Sequence, residues 1–198
     1  MSRLPVFVRS ALGAAFLALA AVTAGCDGGA IGANDPQSSG QSFVGSSYAS
    51  TFYSIGHRPG APSVSGTTVT GKQLNLASYR GDTVVLNFWG SWCAPCRSEA
   101  PALGTLARQL SADGVRFVGI DIRDEPASAL AFMQTFGVGY PSLNDPSDEI
   151  ALAFRSTVPP AAIPTTLVID RDGRIAARIV GGATYIQLKS LISRVTQT

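Results

Sequence analysis

Two cysteines separated by two residues, Cys93-Ala94-Pro95-Cys96, stand where an apolar run, Val84-Val85-Leu86-Asn87-Phe88-Trp89, gives way to a helical pattern. At that spacing the sulfurs are close enough to form a disulfide. The first thiol then lies near free backbone N–H groups at a helix N-terminus, where the dipole favours thiolate and lowers a thiol pKa from about 8.5 by several units. Thiolate is the attacking species in disulfide exchange. The pair therefore points to redox chemistry, with Cys93 at the helix mouth as nucleophile and Cys96, inside the first turn, as resolving thiol. Half of a zinc site is the competing use of such a pair. A tetrahedral site needs four ligands, and beyond the pair the chain offers Cys26 and one histidine, His57. Covalent haem attachment to this chain is excluded, because Arg97 occupies the position that CxxCH gives to His.

Glu99 follows Cys96 by three residues and on a helix falls on nearly the same face. A carboxylate there could take or give the proton that the resolving thiol exchanges; the alternative is a surface glutamate favoured by the dipole near the helix N-terminus. Trp92 reads as a partly exposed platform beside Cys93 and Trp89 as core, with plain packing the alternative for both. His57 reads as an exposed loop residue. Asp121, Arg123, Asp124 and Glu125 follow a strand and read as a solvated loop, with proximity to the active site the alternative.

The elements that must position these residues occupy most of the chain. At 198 residues and 45% hydrophobic composition, there is material for one packed domain with appendages. A net charge of +2 with no run of Lys or Arg gives no footprint for nucleic acid. Residues 1–25 have the form of an export signal: Arg3 and Arg9 precede an apolar, small-residue stretch from Ala11 to Ala24, shorter than the roughly 20 residues of a spanning helix. Thr23-Ala24-Gly25-Cys26 resembles a bacterial lipobox, although Thr23 stands where an aliphatic residue is usual. Cys26 is thus the expected lipidation site, with a cleaved soluble protein or an uncleaved anchor as alternatives. Residues 26–56, rich in Gly, Ser, Ala, Asn and Gln, read as a lipidated Cys and flexible linker, because such a composition buries too little apolar surface to offset its ordering entropy. The alternative is that the aromatics Phe43, Tyr48, Phe52 and Tyr53 dock onto the domain or onto a partner. With Cys26 lipidated and the other two cysteines paired, no free thiol remains in an exported chain.

The domain is expected over 57–198. A turn-rich stretch suggests a β-hairpin ending near Leu76, followed by a buried strand over 84–89. A helix from the cysteines to about Leu110 carries Pro101 as a predicted kink. A strand over 115–122, a helix over 127–136 opened by Pro126, a short strand near 141–143 and a helix near 148–154 follow. Strands over 165–169 and 175–180 are joined by the Asp-Gly turn of Asp170-Arg171-Asp172-Gly173, and an amphipathic helix closes the domain over 185–195. Alternating β and α units with a terminal hairpin imply an α/β fold, a central mixed sheet with helices on both faces.

Trp89-Gly90-Ser91-Trp92-Cys93-Ala94-Pro95-Cys96, Pro101, and Ile163-Pro164-Thr165-Thr166 before a strand ending in Asp170-Arg171-Asp172-Gly173 together resemble the membrane-tethered TlpA/ResA-like branch of the thioredoxin superfamily, from about Gly60 to the C-terminus. The resemblance implies a thioredoxin-like fold with a mid-domain insertion, which 126–155 would supply, and an N-terminal β-hairpin. It implies that Pro164 follows a cis bond after Ile163 and lies against the cysteines, and that Trp92, Ile163 and Pro164 contact substrate. Glu99 matches the acidic residue that tunes the thiols in that branch, and Asn87 stands where cytoplasmic thioredoxins carry a buried Asp. The approach from Ser156 to Ala162 is longer than usual in the family. The implied activity is extracytoplasmic thiol–disulfide exchange with exported proteins, with no cofactor and no metal. A frequent task of the branch is reduction of the CxxCH of apocytochrome c, with electrons from a membrane thiol carrier. The alternatives are a disulfide-forming oxidase and a Sco-like copper-binding assembly factor; the latter family uses CxxxC and a downstream His, and this chain has neither.

Overall fold

A computed structural model describes residues 43–45, 48–158 and 162–198. Strand β5 (Thr83–Trp89) is buried along its whole length. Its alternate residues enter two cores: Val85 and Trp89 pack on one side of the sheet, and Val84, Leu86 and Phe88 on the other. That two-sided burial explains its near-continuous apolar sequence. Strand β6 (Val115–Ile122) runs parallel to β5, and β7 (Ser142–Asp145) runs parallel to β6. On the opposite edge β8 (Thr165–Ile169) and β9 (Ile175–Val180) add antiparallel. Their turn depends on Gly173, at φ 72° in the left-handed region, where a side chain would also collide with Arg80. Asp170 Oδ1 accepts the N–H groups of Asp172 and Arg174 across the same turn.

Helix α1 (Ala94–Leu110) leaves the end of β5 and continues through Pro101. It packs with α2 (Pro126–Phe136) and α4 (Tyr185–Thr196) over the Val85 and Trp89 face. A capping box opens α4: the Thr184 hydroxyl accepts the Gln187 N–H, and the Gln187 side chain accepts the Thr184 N–H. The other face carries Phe154, just after the short helix α3 (Glu149–Ala153), and a separate hairpin of β3 (Ser65–Thr67) and β4 (Gln73–Asn75). This hairpin touches the β7 edge through the Thr68–Leu143 bridge. The architecture is the expected α/β arrangement with a central mixed sheet. Residues 126–155 form α2, β7 and α3, so the mid-chain segment widens the sheet at its β6 edge.

The expected linker over 26–56 ends earlier than its composition suggests. Tyr48–Phe52 forms β2, paired antiparallel with β9, and Phe43–Gly45 forms β1 beside it, so the sheet runs β1-β2-β9-β8-β5-β6-β7. Phe52 packs against one core and Tyr53 against the other. The physical reason is that β9 offers an otherwise open edge, whose backbone groups pair with an extended segment regardless of that segment's polar side chains. The docking alternative therefore holds for Phe52 and Tyr53. The signal, Cys26 and the remaining linker lie outside the described residues. Among those described, no helix is long and apolar enough to cross a membrane.

Candidate active site

The chain leaves β5 through Gly90-Ser91-Trp92, and Cys93 is the N-cap of α1. Its sulfur accepts the Cys96 N–H of the first turn at 3.2 Å, and Pro95 sits in that turn, where a missing N–H costs nothing. Cys93 and Cys96 form a disulfide. Cys93 is 5% exposed and Cys96 1%. The order is the expected one, but Cys93 is less open than a helix mouth suggests, because both sulfurs are packed into the Val85 and Trp89 core.

Glu99 is not a surface residue. One helical turn beyond Cys96, it is 3% exposed, its Oε1 accepts from Asn87 Nδ2 at 2.8 Å and its Oε2 accepts from the Ala183 N–H at 2.9 Å. Asn87 Nδ2 also donates to Thr166 Oγ1 at 3.0 Å, so one amide links β5, β8 and α1. Burial pushes the Glu99 carboxyl up to about 7, against the opposing pull of the hydrogen bonds from Ala183 and Asn87. Buried Tyr140 is raised well above the usual phenol range by its own desolvation and then by the charge of Glu99.

The Ile163–Pro164 peptide bond is cis. Thr165 pairs with Phe88, which sets Pro164 level with the end of β5 where the redox loop begins. Ile163 packs against the core that contains both cysteines. Trp92 is 51% exposed with its indole N–H on the Ile122 carbonyl at 3.4 Å, whereas Trp89 is buried and stacks on Phe132 with centroids 4.5 Å apart. The fold thus gathers Cys93, Cys96, Glu99, Trp92, Ile163 and Pro164 at one end of the sheet. His57 lies exposed, beyond the redox loop's hydrogen-bond partners, with Nδ1 on the Ser54 hydroxyl. Cys26 lies outside the described residues, as do 159–161 on the approach to Pro164.

The solvated reading of 121–125 fails for two of its four residues. Asp121 is fully buried and Asp124 nearly so, and Asp124 Oδ2 accepts the Ser91 N–H of the redox loop at 2.6 Å. A signal was present: Asp121 is the penultimate residue of the eight-residue strand Val115–Ile122, whose only other charged residue, Arg116, lies near the opposite end, and it is drawn inside with its apolar neighbours. Among the described residues no group of three or more His, Cys, Asp or Glu is arranged to hold a metal ion.

Residues 58–178 match the AhpC/TSA family. ResA thiol–disulfide oxidoreductase of Bacillus thuringiensis (strain Al Hakam) is 30% identical over 136 residues, 69% of this chain and 76% of that protein. ResA of Geobacillus kaustophilus is 34% identical over 124 residues, 63% of this chain and 69% of that protein. Among solved structures, a secreted thiol–disulfide isomerase from Corynebacterium glutamicum superposes with a TM-score of 0.70 at 33% identity, covering 75% of this chain and 92% of that one. A DsbF homologue from Corynebacterium diphtheriae gives 0.67 at 35% identity, with 73% and 92% covered. A disulfide at a helix N-cap, in a fold shared with these proteins, is a redox centre, and the chain belongs to the AhpC/TSA family as a thioredoxin-like thiol–disulfide oxidoreductase of the ResA type.

Proposed function

We propose that the protein works at the extracytoplasmic face of the bacterial cell membrane, held there by a lipid on Cys26, and reduces disulfides in exported proteins, such as the CxxCH of apocytochrome c. A membrane thiol carrier resets it. In one turnover the Cys93 thiolate attacks a substrate disulfide, forming a mixed disulfide and releasing one substrate thiolate. Cys96 passes its proton to the Glu99 carboxylate and attacks the Cys93 sulfur, and the second substrate thiolate leaves and takes up a proton. Two electrons have moved from the pair to the substrate. Trp92, Ile163 and Pro164 supply the surface on which the substrate chain rests.

The observation that carries the direction is buried Glu99, whose hydrogen-bond donors among the described residues are both uncharged. A carboxylate on the face of Cys96 disfavours a neighbouring thiolate and so favours the disulfide over the reduced pair, which makes the couple reducing. The N-cap position of Cys93 acts oppositely, stabilising thiolate, and supports the second reading, an oxidase of exported proteins. A redox-buffer titration of Cys93/Cys96 decides between them: a potential below about −250 mV is expected, and one above about −180 mV establishes the oxidase. Anchoring is tested by Cys26→Ala, which should move the protein from the membrane fraction to the soluble one.

A further inference from the structure

Asp121 has no part in the exchange steps above, yet it is among the most buried charged residues of those described. It stands one residue before the end of β6, between Trp89 on β5 and Asn144 on β7, its partners in register, and both of its carboxyl oxygens lack a hydrogen-bond donor. Asp124, also buried, follows three residues later, and its Oδ2 lies on Ser91, two residues beyond the Trp89 that pairs with Asp121. Arg123, at φ 51°, turns the chain in the left-handed region between the two. The Asp124 carboxylate is already committed as an acceptor, with Oδ2 on the Ser91 N–H at 2.6 Å and Oδ1 on the Glu125 N–H at 3.0 Å. Two buried carboxyl groups meeting at this end of the sheet would offer each other nothing but acceptors unless one of them carried a proton.

We propose that Asp121 is a positioning residue of the redox loop: it keeps a proton, donates it to Asp124, and this bridge holds the Asp124 carboxylate on the Ser91 N–H two residues ahead of Cys93. Other charged groups reinforce the arrangement. Asp145 on β7 accepts the N–H groups of Ile150 and Ala151 at 3.1 and 2.8 Å, and its charge disfavours a second one on Asp121. The Arg123 guanidinium is engaged by Asp148, and α2, packed on Trp89, carries no charged residue. Glu125 is exposed. Glu99, on α1, has its own donors in Asn87 and Ala183. Burial, then the charge and hydrogen bond of Asp124, then Asp145, raise the Asp121 carboxyl to about 8. Arg97 grips the other end of the same residue, donating from Nε and Nη2 to the Ser91 carbonyl at 2.9 and 2.7 Å. Ser91 is therefore pinned at both ends, and loss of the Asp121 proton places two adjacent anions beneath one of the pins.

The inference rests on the oxidoreductase activity and holds for either direction of electron flow. Its test is an NMR titration of the oxidised protein, following the Asp121 Cγ and Ser91 amide resonances, paired with the pH dependence of exchange with a small disulfide in an E99Q background. Both resonances should titrate together near the Asp121 value, and the exchange rate should fall about tenfold above it, the effect of losing one buried charge-assisted hydrogen bond. D121N donates an N–H that does not titrate, so the Ser91 transition and the alkaline fall should both vanish. A structural role alone would lower rates at every pH and leave the inflection in place. An Asp121 carboxyl already ionised at neutral pH, or a Ser91 amide that does not follow it, overturns the proposal in the unsubstituted protein, whether or not D121N folds.

Discussion

Asn87 Nδ2 donates to Glu99 Oε1 at 2.8 Å inside the core, joining the strand that leads into the redox loop to the helix that carries both cysteines. A buried carboxyl is kept near neutrality by desolvation, and here two uncharged donors bring it back to about 7. A group in that range can accept a proton from a thiol and return it within one turnover. Glu99→Gln should remove this exchange. The rate at which Cys96 resolves a mixed disulfide should fall about tenfold to a hundredfold, within the usual worth of a positioned acid–base group, and the thiol titrations should shift. Stopped-flow measurement on a preformed mixed disulfide checks it, and unchanged rates and titrations would remove Glu99 from the mechanism.

Asn87 sets where Glu99 titrates. Its hydrogen bond favours the ionised carboxylate, so Asn87→Ala should raise the Glu99 carboxyl further above about 7. The carboxyl carbon resonance of Glu99, followed against pH in the oxidised protein, reads the shift directly. A downward shift would mean that water entering the gap relieves the desolvation more than the lost donor costs.

The same carboxyl couples stability to pH. Glu99 titrates near 4.5 when unfolded and near 7 when folded, so between those values the native state holds the extra proton and stability falls as pH rises. The contribution is fully present below about 4.5 and lost by about 7, and it amounts to roughly 3 kcal/mol. Asp121, raised from 3.8 to about 8, acts in the same sense and extends the window upward. Denaturant midpoints of the oxidised protein should fall from pH 5 to pH 8, and E99Q should flatten the lower part of that fall.

How far the sequence could foresee this site depended on whether local pattern or tertiary partners placed each residue. The cysteines, β8, β9 and the helices follow from spacing, turn chemistry and apolar periodicity, which act within a few residues. The face of Glu99 was legible from its offset to Cys96, but its burial was not, because Ala183 lies 84 residues away and closes over it from the loop before α4. Asp121 was misplaced for the opposite reason. Its charged neighbours in sequence suggested a loop, while its neighbours in space, Trp89 and Asn144, belong to other strands. Tyr48–Phe52 was misread because strand addition to an open edge depends on backbone pairing with β9, which leaves little trace in side-chain composition.

Trp92 offers a large exposed surface beside Cys93, tethered through its indole N–H to Ile122. Trp92→Ala should change stability by less than about 1 kcal/mol, as expected for a half-exposed side chain. Its effect should instead appear in substrate binding, as a rise in KM of about fivefold to tenfold for a protein disulfide such as insulin. Reaction with a small disulfide, which has no chain to rest on the indole, should be nearly unaltered. Equal losses on both substrates would assign Trp92 to shaping the loop instead of contacting substrate.

Phe52 tests whether β2 belongs to the domain. Its ring lies beneath the Arg194 guanidinium at 4.2 Å and within 5.7 Å of that of Arg58. Arg58 is itself locked by Asp170 at 2.9 Å and by the Thr198 hydroxyl at 3.0 Å, so the aromatic ring sits where the N-terminal strand, the β8–β9 turn and the chain end converge. Phe52→Ala removes a partly buried ring and its cation–π contacts and should cost about 1–3 kcal/mol. A protein shortened to begin near Ser54 should lose at least as much, because the β9 edge is then left unpaired, whereas one beginning near Gly40 should keep full stability. Thermal unfolding of the three forms separates the outcomes: equal midpoints would return β2 to the tether, and a drop confined to the shorter form and to F52A makes it a strand of the folded domain.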